Sequence, residues 1–148
     1  MGHIEVNYEM VVSASPEDVY TYLTNVDNYV EMVSSEEEVR GHSGALADGA
    51  TWQSVSKFMG REIVSDNQVL ELKAPNLFRY ETHSNAADTV SSWEVEAVDG
   101  GTRLRHVAAG EVKGFFASIA MSLLRSNVDK EFKSDMARLE RRFNETQG

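Results

Sequence analysis

The histidine at position 106 is the residue of this sequence best placed to do chemistry. It stands between Leu104 and Ala108 in an alternating run, with Arg103 and Arg105 on the opposite parity, so the alternation turns its ring inward. An interior imidazole can exchange a proton near neutral pH or orient a carbonyl through a hydrogen bond. Trp93 and Tyr80 are expected beside it on neighbouring strands, and so dry a setting disfavours the imidazolium and holds the ring neutral at about pH 7. Tyr80 and Tyr8 are its candidate hydrogen-bond donors. The competing reading is a core histidine bonded to a tyrosine or a backbone carbonyl. A buried tyrosine hydroxyl needs a partner in either case, so its presence does not decide.

Other constellations are weaker. The chain has no cysteine, which removes disulfides, thiolate nucleophiles and a cysteine zinc site, and is compatible with a reducing cytoplasm. His3, His42, His83 and His106 form no short-spaced pair with one another or with an acid, so no metal is expected. Glu36, Glu37 and Glu38 lack the oxygen-ligand spacing of a calcium loop and read as a solvated face. There is no Gly-x-Ser-x-Gly elbow, and Gly41, Gly44 and Gly49 bracket a loop without a phosphate-binding pattern, so neither a serine nucleophile nor a nucleotide cofactor is expected. Arg61 and Arg79 are either exposed strand residues or cations reaching a pocket mouth to hold a carboxylate.

The frame that positions these residues follows from size and pattern. At 148 residues, 41% hydrophobic and 26% charged, the chain reads as a single globular domain with a core of its own. Its formal charge of −10 repels phosphate backbones, and no basic face offsets it, which argues against nucleic acid. No apolar run reaches the roughly 20 residues that span a bilayer. The first residues lack a signal-peptide pattern, and Val6 stands where a myristoylation signal after Gly2 needs Ser or Thr. The expectation is a soluble cytoplasmic protein.

Residues 4–13 alternate, with Ile4, Val6, Tyr8, Met10 and Val12 on one face: a strand with one buried side. Ser15, Pro16 and Asp18 then make a helix start, with Val19, Tyr20 and Leu23 inward. A break at Thr24-Asn25 precedes a second short helix bearing Val26, Tyr29, Val30 and Val33. Six further strands are predicted at residues 36–42, 51–58, 61–73, 77–84, 91–98 and 102–110, the third with an irregularity at Asp66-Asn67. Their turns include Met59-Gly60, Ala74-Pro75-Asn76 and Asp99-Gly100-Gly101, the last a strong hairpin signal. A closing helix begins between Gly114 and Ala117, and Leu124, Val128, Phe132, Met136, Leu139 and Phe143 line one of its faces. It would run for about 29 residues, or roughly 43 Å.

Strand parity selects an inward wall. It takes Phe78, Tyr80 and Thr82 from one strand, Ser91, Trp93 and Val95 from the next, and Leu104, His106 and Ala108 from the last. Trp52, Ser54, Ser56 and Phe58 join them, with Tyr8 and Met10 from the opening strand. Phe115, Phe116 and Ile119 supply an apolar entrance at the start of the closing helix, Leu123 is a further expected ligand contact on the helix's broadly apolar first half, and the segments 74–76 and 85–88 cover one end of the sheet. Aromatic and aliphatic side chains with a few hydroxyls make a small-molecule pocket, and they make a core equally well.

With the elements in this order, the sequence resembles the START-like superfamily, also described as the polyketide cyclase/dehydrase and lipid-transport group or the birch-pollen-allergen fold. The resemblance covers residues 4–143. It rests on the opening strand leading into Ala14-Ser15-Pro16-Glu17-Asp18-Val19-Tyr20, on Asn25-Val26-Asp27-Asn28-Tyr29, on the Thr102-Arg103-Leu104 strand and on the closing helix. It implies an α+β helix-grip fold: a seven-stranded curved antiparallel sheet wrapped around a long C-terminal helix, with two short helices after the first strand. It also implies a cavity between helix and sheet. The superfamily includes cyclases, dehydratases, ring-cleaving hydroxylase domains and lipid and hormone binders, and no segment here selects one branch. The expected function is binding, with or without processing, of a small hydrophobic or aromatic molecule by a monomer or homodimer. One alternative is a cyclase- or dehydratase-like enzyme with His106 as acid/base and Tyr80 or Tyr8 as donor. Another is a non-catalytic homodimer that meets its copy through a sheet edge or the apolar helix start.

Overall fold

A computed structural model describes residues 2–145. One antiparallel sheet holds all seven strands in the order β1-β7-β6-β5-β4-β3-β2. The strands are β1 (Gly2–Val12), β2 (Glu36–Arg40), β3 (Thr51–Phe58), β4 (Arg61–Lys73), β5 (Leu77–Ser84), β6 (Ala87–Val98) and β7 (Gly101–Val112). Helices α1 (Pro16–Leu23) and α2 (Tyr29–Met32) follow β1, and α3 (Met121–Glu145) closes the chain along the sheet.

Local chemistry explains the boundaries. The Ser15 hydroxyl accepts the Asp18 amide at 3.2 Å, and Pro16 occupies the first turn, so α1 starts capped. It stops at Thr24, whose amide and hydroxyl both donate to the Tyr20 carbonyl. Helix α2 is only four residues long, so its inward side holds just Tyr29 and Met32, and Val30 is exposed rather than packed as the pattern suggested. The β3–β4 hairpin turns on Met59 and Gly60, both at positive φ (51° and 79°), the backbone a two-residue turn of matching twist requires.

The structure corrects several of these expectations. Strand β4 runs unbroken through Asp66-Asn67, and its register shift falls between Val69 and Glu71. The buried Asn67 amide is satisfied inside the sheet: it donates to Ser54 Oγ at 3.2 Å and accepts from Thr82 Oγ1 at 2.7 Å. Strand β6 begins at Ala87 instead of 91, because the Ser84 hydroxyl accepts both the Ala86 and Ala87 amides and ends the turn early. Strand β2 ends at Arg40 instead of 42. The helix predicted from 114–117 starts at Met121; a 3₁₀ turn, Gly114–Ser118, comes first, and the 25-residue α3 spans about 37 Å.

Two apolar clusters fill the space between sheet and helix. The larger joins α1 and α2 to Trp52, Phe78, Val95, Leu104 and the C-terminal half of α3. The smaller gathers Ile4, Ala86, Val112, Phe116 and Leu124 around the start of α3.

Candidate functional site

Between these clusters lies a cavity of about 350 Å³, bounded by the concave face of the sheet and by α3. Alternation along the strands places the right side chains on that face, but each strand serves it over only part of its length. On β5 the cavity is lined by Tyr80, Thr82 and Ser84 but not Phe78; on β6 by Thr89, Ser91 and Trp93 but not Val95; on β7 by His106 and Ala108 but not Leu104. On β3, Ser56 and Phe58 reach it, whereas Trp52 and Ser54 do not.

Among the large side chains expected on the wall and at its entrance, Phe58, Tyr80, Trp93, His106 and Phe116 therefore come together. The others lie elsewhere. Phe78 is fully enclosed in the larger cluster, and Trp52 packs there between Tyr29 and Tyr80. Ile119 rests against the smaller cluster, and Leu123 is 53% exposed because the helix starts late and turns it outward. Tyr8 stacks on Phe132 at 5.8 Å and donates its hydroxyl to Asp129 Oδ1 at 3.2 Å, so it serves α3 rather than His106. Arg61 lies over the Phe115 ring and Arg79 pairs with Glu71; neither lines the cavity.

His106 forms the centre of an aromatic stack. Its ring lies 3.9 Å from that of Trp93, nearly parallel at 6°, and 5.2 Å from Phe132. Its Nε2 is buried and has no hydrogen-bond partner among the described residues. Burial with no acidic neighbour pushes the imidazole down to about 3, so the ring is neutral at physiological pH. The Tyr80 hydroxyl is pushed up to about 12, chiefly by burial, partly offset by a hydrogen bond from Ser91 and reinforced by Glu36 and Asp135. It stays protonated and remains available as a donor.

Acids absent from the wall that parity selects stand at one end of the cavity. Glu131 and Asp135 line it from α3, beside Met32, Val33 and Ser35. Ser34 ties them to the α2–β2 connection: its amide donates to Asp135 Oδ1 at 2.9 Å and its hydroxyl to Glu131 Oε2 at 2.8 Å. Burial raises the Asp135 carboxyl. The signal is present in the sequence, since Glu131 lies three residues after Val128 and Asp135 three after Phe132, on the apolar stripe itself.

Glu36 reads as a solvated residue from its acidic run, but burial pushes its carboxyl up to about 7, with a Ser54 hydrogen bond working against the shift. The folded state therefore holds this proton more tightly than the unfolded chain. The resulting stability is full below about pH 4.5 and is lost as pH rises through about 7. Glu36→Gln should flatten this dependence and make the protein more stable than wild type at pH 8, by at least about 1 kcal/mol. Urea titrations at acidic and alkaline pH check it; a variant less stable than wild type at pH 8 would show that the carboxylate is stabilising.

The profile of one family, polyketide cyclase / dehydrase and lipid transport, matches residues 3–144. The chain belongs to that family. Solved structures agree on the architecture of this polyketide cyclase / dehydrase and lipid transport member. A START superfamily protein from Mycobacterium smegmatis superposes with a TM-score of 0.78 at 14% identity, covering 96% of this chain and 97% of its own. A protein from Thermus thermophilus gives 0.80 at 18% identity, covering 95% and 97%. The Zhui aromatase/cyclase from a Streptomyces species gives 0.70 at 12% identity, covering 93% and 88%. Identities this low establish the helix-grip fold alone. No curated protein matches the chain. Among the described residues of this family member, no helix is long and apolar enough to cross a membrane.

Proposed function

We propose that the chain acts as a single domain that binds one small, largely apolar molecule in the cavity, with a hydroxyl or carbonyl substituent of the ligand meeting His106 Nε2. The observation that carries this reading is the unpartnered nitrogen in an aromatic wall. A buried polar atom left without a partner costs about 1–3 kcal/mol, which a ligand group able to hydrogen-bond with it would recover. Trp93 and Phe132, each stacked with the histidine and each lining the cavity, give it an aromatic wall suited to an aromatic or alicyclic body. The family's description includes lipid transport, and an apolar cavity is consistent with cargo of that kind.

Proton transfer by His106 is less well supported. An imidazole pushed down to about 3 is a poor base at neutral pH, and its neutral form keeps one N–H but lacks the imidazolium proton that a general acid transfers. Its useful state is neutral, as a hydrogen-bond partner. Tyr80, protonated and on the same wall, supplies a second donor.

The test compares two probes, naphthylethanol and ethylnaphthalene, by calorimetric titration. In His106→Phe, which keeps the stacked ring, naphthylethanol should bind about tenfold more weakly while ethylnaphthalene binds unchanged. Equal affinities of wild type and variant for naphthylethanol would remove His106 from the site.

A further inference from the structure

We propose that the cavity is selective for charge, accepting an apolar amine whose ammonium group lies between Glu131 and Asp135 and rejecting apolar carboxylates. This rests on the binding reading above and specifies its ligand class. Among the described residues, Glu131 and Asp135 are the two lining side chains that carry formal charge, and no lysine or arginine lines the cavity. The orphaned His106 cannot supply a positive charge to an anion, because its surroundings are aromatic and apolar. A carboxylate brought in by a ligand would lose its water and find no counter-ion there.

A cation meets the opposite situation. Glu131 and Asp135 are four residues apart on α3, so their side chains rise from one face about one helical turn apart. Each has one oxygen held by Ser34, which fixes the pair at the cavity's end. No salt bridge to either carboxylate is found among the described residues; Arg138, whose positive charge acts on Asp135, donates its guanidinium to the Glu31 carbonyl at 3.1 Å. Both carboxylates are half-buried, where charge pairs are screened less than on an open surface. An ammonium between them would be paired on two sides. Phe132, between these acids on the helix, stacks on His106, so one ligand could place its body on the aromatic wall and its amine at the acids.

Three matched probes test this at neutral pH: naphthylethylamine, which is protonated, naphthylethanol and naphthylacetate. The amine should bind about tenfold more tightly than the alcohol, and naphthylacetate more weakly than either. In Asp135→Asn and in Glu131→Gln the preference for the amine should shrink while the affinity for the alcohol holds. Asparagine keeps an acceptor for the Ser34 amide, and Glu131→Gln touches only a side-chain bond, so a folding defect in one variant leaves the other to decide. An alcohol that binds as well as the amine, or a carboxylate that binds best, overturns the charge selectivity and leaves the cavity reading standing. If none of the three binds, both fall.

Discussion

Phe78→Ala should lower the free energy of unfolding by about 3–5 kcal/mol, the cost of truncating a fully buried phenylalanine. The side chain is enclosed at 0% exposure within the cluster that holds Val95, Leu104 and Leu139, and its ring lies 5.1 Å from that of Tyr80. Its cross-strand neighbours are Leu72 on β4 and Trp93 on β6. Little can collapse into the space it would leave, because the strands on either side are held by their ladders. Urea titration monitored by circular dichroism measures the loss as a shift in midpoint at constant slope. A loss below about 1 kcal/mol would place Phe78 on the cavity wall, where a truncated ring simply enlarges an existing space, and would move the division between core and cavity along β5.

That division is the part of the site the sequence does not disclose. Alternation assigns a face correctly: Phe78 and Tyr80 share one, as do Leu104 and His106, or Trp52 and Phe58. It carries no information about what covers the face at each level. The answer lies in α1 and α2, which pack over the end of the sheet holding Trp52, Phe78, Val95 and Leu104 and convert inward positions there into core. Beyond their reach the same parity opens onto the cavity. The overall fold is more legible, because the Ser15-Pro16 helix start, the Asp99-Gly100 hairpin and the stripe from Leu124 to Phe143 are each local signals with a direct backbone consequence.

Two differences between pattern and structure have a common origin in treating polar residues as surface. Asn67 suggests a break in β4, yet its amide is bonded within the sheet to Ser54 and Thr82. Glu131 and Asp135 interrupt a stripe that is otherwise apolar, and a helix facing a cavity can present acids where one facing a core cannot. The third difference concerns the helix start. Hydrophobicity from Phe115 to Leu124 suggests helix, but Gly114 at φ 63° turns the chain into a 3₁₀ segment, and Ile119 is extended before α3 begins.

Ala108→Phe tests most directly whether a ligand occupies the space between His106 and α3. Ala108 lies two residues beyond His106 on the same face of β7, opposite Val6 on β1 and Ser91 on β6, and its methyl group lines the cavity. A benzyl group there would extend into empty volume, so the stability of the protein should change by less than about 1 kcal/mol, short of the usual cost of overpacking. Of the two tryptophans, Trp93 lines the cavity and Trp52 does not, so fluorescence reports on the site chiefly through Trp93. Titration with naphthylethanol should perturb Trp93 emission in wild type, and in Ala108→Phe the affinity should fall by at least about 100-fold, equivalent to about 2.7 kcal/mol. A folded Ala108→Phe that binds naphthylethanol with wild-type affinity would show that the ligand sits elsewhere and would contradict the account.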